Sequence, residues 1–160
     1  MNEEVKYISY EEVISVYAKM IDASDGGFDG VRDEGGIRAA LEFVQNDMYY
    51  PNFSDKLCSL VYKFCSGHYF NDGNKRIALT LGTYFLHKNS YFWQATIFMR
   101  QMESIVYHVA ASNIDKALLL RIMTCFMNGE DYDEELKIDI ANAMSKGELG
   151  INGEDYKVKD

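Results

Sequence analysis

The sequence predicts an all-α fold, and three observations carry that prediction. Apolar residues recur at helical spacing along most of the 160 residues, beginning with Val13, Ile14, Tyr17 and Ile21. Alternating, strand-like patterns are scarce, and Pro51 is the single proline. A hydrophobic composition of 48% in a chain of this length is enough for one globular domain with a substantial core.

The first two helices are predicted from their capping signals. Ser9, followed three residues later by Glu12, is a capping box that starts a helix. The Ser-Asp-Gly-Gly run at 24–27 is expected to end that helix, because glycine and aspartate favour turns. A second helix is expected to begin near Asp33 or Glu34.

Two further helices are predicted around the middle of the chain. Residues 46–53 are short, aromatic and interrupted by proline, which indicates a loop or a small extended flap. A third helix, capped by Ser54 or Asp55, is expected to run to Gly67. The fourth, over residues 77–87, is almost uniformly apolar, which is typical of a helix at the centre of a fold.

The C-terminal half predicts mainly helix. Residues 91–93 (Tyr-Phe-Trp) indicate a short strand or turn, with Trp93 in the core. The last residues, 147–160, are expected to be frayed. Three helices are expected, over 95–111, 114–128 and 132–146.

Charge is distributed unevenly along the chain. The net charge is -9, and residues 130–160 carry ten acidic and four basic residues, a net of -6. An acidic chain without a basic stripe is not expected to bind nucleic acid. We therefore expect a main domain over 1–130 and an acidic C-terminal helix and tail over 131–160. That extension is either an extra packing helix with a solubilising end, or a lid or dimer contact.

Cysteine usage and hydropathy predict a reduced, cytoplasmic protein. Cys58, Cys65 and Cys125 form no CxxC pair, and the first two lie in an apolar periodic run, so we expect them to face the core. The sequence shows no signal-peptide-like stretch and no apolar run long enough for a membrane span.

One polar run, residues 68–76 (HYFNDGNKR), combines several catalytic residue types. A glycine turn that leads into a helix presents backbone N–H groups and the positive end of the helix dipole, which together favour phosphate. Lys75 and Arg76 add positive charge. Asp72 would repel phosphate unless it holds a divalent cation shared with it, as Mg²⁺ usually is. His68 is a histidine that can accept a proton from a hydroxyl.

An ordinary structural explanation exists for each residue taken singly. Asp-Gly-Asn is common turn chemistry, and Lys-Arg is common in a solvated first turn of a helix. The run is also not a Walker A loop, since GxxxxGK[ST] is absent. The ordered combination, rather than any one member, therefore indicates transfer of a phosphorus-centred group to a hydroxyl.

The same run resembles the motif HxFx[DE]GNxR of the Fic/Doc family at every fixed position. Residues 8–12, 30–35 and 39–41 and the lysine at position 75 are similar to its death-on-curing (Doc) branch, and the resemblance covers about residues 6–128. It implies a helical bundle with a small flap at 46–53 that aligns the target. It also implies ATP and Mg²⁺, with His68 as general base, Asp72 as metal ligand and Phe70 as buried anchor. The phosphates of ATP would be held by Gly73, Asn74, Lys75 and Arg76.

The resemblance leaves three activities open. The Doc branch transfers the terminal phosphate of ATP to a threonine of elongation factor Tu, whereas typical Fic enzymes transfer AMP. Lys75 favours the first, because most adenylyl-transferring members have glycine there and a bulky cation keeps phosphates from the backbone. Gly73 favours the second, since the Doc branch can carry alanine. A catalytically silent interaction protein is the third, although no motif residue is lost.

Regulation is expected to come from a second protein. Many Fic proteins carry an inhibitory helix with the motif [ST]xxxE[GN], and this sequence has no match to it. In the Doc branch a separate antitoxin instead folds a disordered segment onto the toxin. The resemblance therefore implies a toxin with an antitoxin partner and a protein substrate.

Overall fold

Seven α-helices make up the fold. The computed structural model describes residues 3–23 and 30–158, with side chains described as far as 146. Its described part contains no strand, and a single isolated antiparallel bridge joins Val31 to Phe70. The all-α prediction is confirmed. The helices are α1 (Tyr10–Ala23), α2 (Glu34–Phe43), α3 (Phe53–Ser66), α4 (Asn74–Lys88), α5 (Phe92–Ala110), α6 (Lys116–Asn128) and α7 (Glu134–Val158).

Helix α4 lies at the centre of the fold, as its composition predicted. It packs against both α3 and α5, and Ile77, Leu81 and Phe85 are buried in the shared core. Its contact with α5 is close at Gly82, where an added Cβ would lie 2.5 Å from the Phe98 ring. Because α4 begins at Asn74, inside the polar run 68–76, this packing fixes the position of that run relative to α3 and α5.

The predicted helix starts are confirmed for α1 and α2. The Ser9 hydroxyl accepts from the Glu12 N–H and Glu12 accepts from the Ser9 N–H, both at 3.2 Å. Asp33 caps α2 by accepting from the Gly36 N–H at 2.8 Å. The predicted end of α1 at 24–27 lies outside the described residues.

The predicted cap of α3 was wrong. The N-cap is Asn52, which has the extended backbone that a cap requires (φ -106°, ψ 158°). Ser54 and Asp55, the residues expected to cap, already lie in the first turn. Asp55 contributes differently, since its carboxylate accepts from the Asn52 N–H at 2.9 Å.

Two aromatic segments, residues 91–93 and 46–53, can be compared with their predicted structures. Residues 91–93 form neither a strand nor a free turn, because Tyr91 is the N-cap of α5 and Phe92 begins it. Trp93, in the first turn of α5, is 71% exposed rather than in the core. Of the predicted segment 46–53, residues 46–52 form turns and loop, which is the loop alternative, and Phe53 is already the first residue of α3. Phe53 is packed 4.8 Å from the Phe85 ring.

The acidic extension is a packing helix in its first half. Leu136 and Ile140 of α7 are buried in the same core as α5 and α6, and Asp139 pairs with Arg121 at 2.6 Å. Helix continues to Val158, where a frayed end had been expected from 147; residues 159–160 lie outside the described part. A domain boundary near 130 stays a prediction.

The predictions from cysteine usage and hydropathy can be compared with the structure. Cys58 and Cys65 are buried, as expected from their place in the apolar run. No helix in the described residues combines the length and the apolar character needed to cross a bilayer.

A charged cluster that joins α1 to the end of α4 predicts acid sensitivity. Glu12 accepts hydrogen bonds from Tyr84 and from Lys88, the latter at 2.7 Å. Burial opposes ionisation of Glu12, but the bonds from Lys88 and Tyr84 outweigh it and lower the pKa of this carboxyl to about 2. A lowered folded-state pKa stabilises the fold above the ordinary value of 4.5. That stabilisation is lost as the pH falls from 4.5 towards 2.

We expect Glu12→Gln to lower the free energy of unfolding at pH 7 by about 1–2 kcal/mol, because a partly exposed charge cluster is screened. Urea unfolding from pH 7 to pH 2 measures this. The difference in unfolding free energy between the wild type and Glu12→Gln should become smaller below pH 4.5. Glu11→Gln, an exposed change in the same helical turn, is the control and should leave stability nearly unchanged. A difference in unfolding free energy that does not change with pH would contradict a stabilising role of the ionised Glu12 carboxylate.

Candidate active site

The polar run 68–76 lines a cleft of about 600 Å³ between the start of α4 and the last turns of α5. It gathers every residue type that the sequence suggested for group transfer except the buried phenylalanine. The lining residues from the run are His68, Asn71, Asp72, Gly73, Asn74, Lys75 and Arg76. The opposite wall is formed by α5, which contributes Glu103, Tyr107 and Ala110.

The backbone of the run turns at two residues that have a positive φ. His68 adopts a φ of 52°, a conformation that a residue with a side chain rarely adopts. Gly73 has a φ of 78° and is the N-cap of α4, a position that favours glycine. The first N–H groups of α4 have no acceptor within the helix, so the turn at Gly73 directs them at the cleft. The positive end of the helix dipole is therefore available to an anion.

Side chains of α1 and α4 hold the middle of the run in place. Phe70 is buried and its ring stacks on Tyr17 of α1, with centroids 4.0 Å apart. The Tyr17 hydroxyl donates to the Asp72 carbonyl at 3.0 Å. Asn74 closes the loop, since its side chain accepts from the Phe70 N–H at 3.2 Å and donates to the Phe70 carbonyl at 3.0 Å. The side chain of Asn74 is thus used to hold the loop.

The segment before α2 forms a second support. The N–H groups of Arg32 and Asp33 both donate to the Tyr69 carbonyl, at 2.8 and 3.0 Å. In the other direction, the Asn71 N–H donates to the Gly30 carbonyl at 3.1 Å. These bonds accompany the isolated antiparallel bridge between Val31 and Phe70 and join the run to the segment before α2.

The cleft is lined by two cations, Lys75 and Arg76, and by two carboxylates, Asp72 and Glu103. Lys75 and Arg76 are exposed, and neither forms an ion pair with any residue in the described part of the chain. The Lys75 ammonium lies 5.9 Å from the Tyr107 ring centroid. Burial raises the pKa of Cys65 at the base of the cleft to about 11, although Lys75 opposes the rise. This thiol is therefore not a nucleophile at neutral pH.

The donor set fits a shared magnesium ion better than a metal cage made of protein alone. Asp72 is exposed to the cleft, and its Oδ1 accepts from the Gly73 N–H at 2.8 Å. No group of three or more His, Cys, Asp or Glu side chains that could hold a metal occurs among the described residues. Mg²⁺ typically binds one or two carboxylates together with substrate phosphates. Asp72 beside the anion-binding turn matches that requirement.

Comparison with known proteins identifies the family. Residues 7–86 match the model of the Fic/DOC family. The chain belongs to that family. It is 35% identical over 88 residues to "Protein kinase doc" of Escherichia phage P1, which covers 53% of this chain and 69% of that protein. It is 30% identical over 114 residues to "Toxin Doc" of Mycolicibacterium smegmatis (strain ATCC 700084 / mc(2)155), covering 69% of this chain and 85% of the relative.

Sequence reasoning missed the supports of this Fic/DOC site. Tyr17 belongs to the apolar stripe of α1, so nothing in its spacing distinguishes a core tyrosine from one whose hydroxyl bonds the motif loop. Glu103 and Tyr107 lie on the exposed face of α5 and carried no motif. A one-turn spacing of 4 between them places both on the same side of a helix, and that signal could have grouped them.

We expect Tyr17→Phe to weaken the site without dismantling it. The phenyl ring keeps the stack on Phe70, while the bond to the Asp72 carbonyl is lost, at a cost of about 1 kcal/mol in stability. The rate of group transfer should fall about tenfold, because the loop that carries Asp72 is less well fixed. Tyr84→Phe is the matched control, since it also loses a tyrosine hydrogen bond but lies outside the cleft. Equal loss of activity in both variants would show a general stability effect.

Proposed function

We propose that this chain transfers the terminal phosphate of ATP to a serine or threonine hydroxyl of a protein, as a toxin of the Doc type. The observation that carries the proposal is the cleft itself, in which His68, Asp72 and the cationic start of α4 face one volume of about 600 Å³. Such a site needs no protein nucleophile. Positioning and charge neutralisation are what phosphoryl transfer requires.

Each residue has a distinct part in the proposed reaction. The target hydroxyl oxygen bonds to the terminal phosphorus while its proton passes to the imidazole of His68, and ADP leaves. Asp72 would hold Mg²⁺, which neutralises phosphate charge. The backbone N–H of Asn74 and the cations of Lys75 and Arg76 would hold the phosphates. Gly73 would let them approach the backbone closely, because it has no side chain and its own N–H already donates to Asp72. Asn74 contributes through its backbone and by fixing the loop, because its side chain is already bonded to Phe70.

Phosphoryl transfer is favoured over adenylyl transfer by Lys75. Its side chain enters the cleft next to Tyr107, so it occupies space that a glycine would leave to the phosphates. The relative named a protein kinase supports the same choice, and the relative named a toxin supports the toxin part of the proposal. Transfer of AMP remains the alternative outcome of the test below.

The partners of the reaction are proposed from the resemblance to the Doc branch. A translation factor, with elongation factor Tu as the first candidate, is the proposed substrate, and a separate antitoxin is the proposed inhibitor. The absence of the sequence [ST]xxxE[GN] supports an inhibitor outside this chain. The reaction would take place in the cytoplasm, where ATP, Mg²⁺ and translation factors occur together.

The test is intact mass spectrometry of purified elongation factor Tu after incubation with this chain, Mg²⁺ and ATP. We expect a phosphate-sized increase in mass that disappears when ATP is omitted. ATP labelled at the γ-phosphate should label the target, and ATP labelled at the α-phosphate should not. An adenylyl-sized increase with transfer of the α-label would replace the kinase proposal by protein adenylylation.

A further inference from the structure

Aromatic side chains and lysines form a second exposed surface outside the catalytic cleft. Phe43, Met48 and Tyr49 are 50%, 93% and 69% exposed. The rings of Phe43 and Tyr49 lie 6.0 Å apart, and those of Tyr49 and Tyr50 lie 6.5 Å apart, so the apolar groups are contiguous. Contiguous exposed apolar groups, unlike scattered ones, mark binding surfaces. The aromatic–lysine surface comprises Phe43, Met48, Tyr49, Tyr50, Lys63 and Lys116.

The turn that carries this surface is held in one shape by its own bonds. The Asn46 side chain accepts from the N–H groups of Met48 and Tyr49, at 2.9 and 3.3 Å. Lys56 is buried and donates to the Val44 carbonyl at 3.2 Å and to the Asp47 carboxylate at 2.7 Å. The apolar side chains are therefore held outward by a fixed turn. Binding a partner there therefore costs this turn little chain entropy, because it is already ordered.

Two lysines lie against the aromatic rings without an acidic partner. The Lys63 ammonium is 4.4 Å from the Phe43 ring centroid. That of Lys116 is 5.0 Å from the Tyr50 centroid and donates to the Tyr50 hydroxyl at 3.3 Å. Neither forms an ion pair within residues 3–23 and 30–146. Burial opposes the shift, but the hydrogen bond from Lys116 and the charge of both lysines lower the pKa of Tyr50, which reflects the local positive field.

A cavity of about 490 Å³ opens beside Lys116, between α3 and α6. Its wall includes Tyr49, Tyr50, Cys58 and Leu120 and is mainly apolar. Asp55 also lines it, although its carboxylate is already bonded to the Asn52 N–H. The cavity has room for one large apolar side chain next to an unpaired positive charge.

We infer that the aromatic–lysine surface binds a peptide segment of a protein partner in which a carboxylate lies beside a large apolar side chain. The carboxylate pairs with Lys63 or Lys116, and the apolar side chain covers Phe43 and Tyr49. A central apolar anchor with charged groups around it is the usual composition of a protein interface. Aromatic rings and lysines can also bind single-stranded nucleic acid, but the chain's net charge of -9 disfavours a phosphate backbone. Binding here does not require the transfer reaction.

The test is selection of a random peptide library displayed on phage against the full chain, with affinities of the enriched peptide measured by fluorescence anisotropy. We expect enrichment of acidic residues next to leucine or an aromatic residue. Lys63→Gln with Lys116→Gln, and separately Phe43→Ala with Tyr49→Ala, should each weaken binding at least tenfold. Lys137→Gln and Ile138→Ala, an exposed lysine and an exposed isoleucine on α7, are the matched controls and should bind normally.

Two further measurements keep the outcomes distinct. His68→Ala should bind the peptide as the wild type does, so failure of the proposed transfer reaction would leave this result unaffected. Circular dichroism of the four variants establishes that each is folded. Enriched peptides without acidic residues, or equal binding by surface and control variants, would overturn the inference. Binding of a labelled single-stranded oligonucleotide that is lost only in the surface variants would also overturn it.

Discussion

Replacing His68 by alanine should reduce group transfer about 10³-fold, because a positioned general base contributes about 10²–10⁴-fold to such a rate. His68 is exposed to the cleft and follows α3 directly, with Asp72 and the start of α4 lining the same volume. Within the proposed reaction it is the residue placed to remove the hydroxyl proton. The measurement is the initial rate of label transfer from γ-labelled ATP at saturating target.

Backbone strain at His68 requires a second variant. Its φ of 52° is a conformation that asparagine adopts more readily than other residues with a side chain. His68→Asn should therefore keep the loop while removing the base, and should be as inactive as His68→Ala. His87→Ala is the control, because His87 is an exposed histidine in the last turn of α4 and does not line the cleft. Substantial activity in His68→Asn would remove His68 from the role of base.

Asp72→Asn should reduce transfer by about 10²-fold at a fixed Mg²⁺ concentration, similar to the loss of one preorganised electrostatic contact in an active site. Asparagine keeps an oxygen that can accept the Gly73 N–H bonded to Asp72 at 2.8 Å, so the turn is preserved and only the charge is lost. The change therefore isolates the attraction between carboxylate and cation. Titration of activity with Mg²⁺ should show a higher concentration for half-maximal rate.

The matched control is Asp115→Asn at the start of α6. Asp115 also accepts a backbone N–H, from Leu118 at 2.8 Å, but it caps a helix away from the cleft. We expect that variant to retain full transfer and an unchanged Mg²⁺ dependence. If Asp72→Asn lost activity with the same Mg²⁺ dependence as the wild type, the carboxylate would act through loop structure rather than through a metal.

Much of the helical framework was predictable because its causes are local. The capping box at Ser9 and Glu12 and the cap at Asp33 depend on residues three positions apart, and both are present in the structure. The apolar face of α4 depends on spacing within one helix, which the sequence displays directly. The motif residues lie within nine consecutive positions, so their proximity in the chain already brought them together.

Exposure of the aromatic residues could not be predicted in the same way. Phe53 and Trp93 are both aromatic residues next to turns, yet Phe53 stacks on Phe85 while Trp93 is exposed. Which of them is covered depends on the direction in which α4 and α5 pass each other, and local spacing does not contain that direction. The same holds for Lys56, whose burial arises because its ammonium meets the Val44 carbonyl.

The sequence by itself therefore determined the helical class, the position of most helices and the chemical content of the motif. Only the tertiary structure decided how the motif is held. Tyr17 reaches Asp72 across 55 positions, and the Asn71–Gly30 bond spans 41. Such contacts form when the packing of α1 and the segment before α2 against α4 brings distant backbone groups together. These hydrogen bonds join residues far apart in the chain, and the spacing of residues within one helix does not specify such partners. They are therefore visible only in the folded structure.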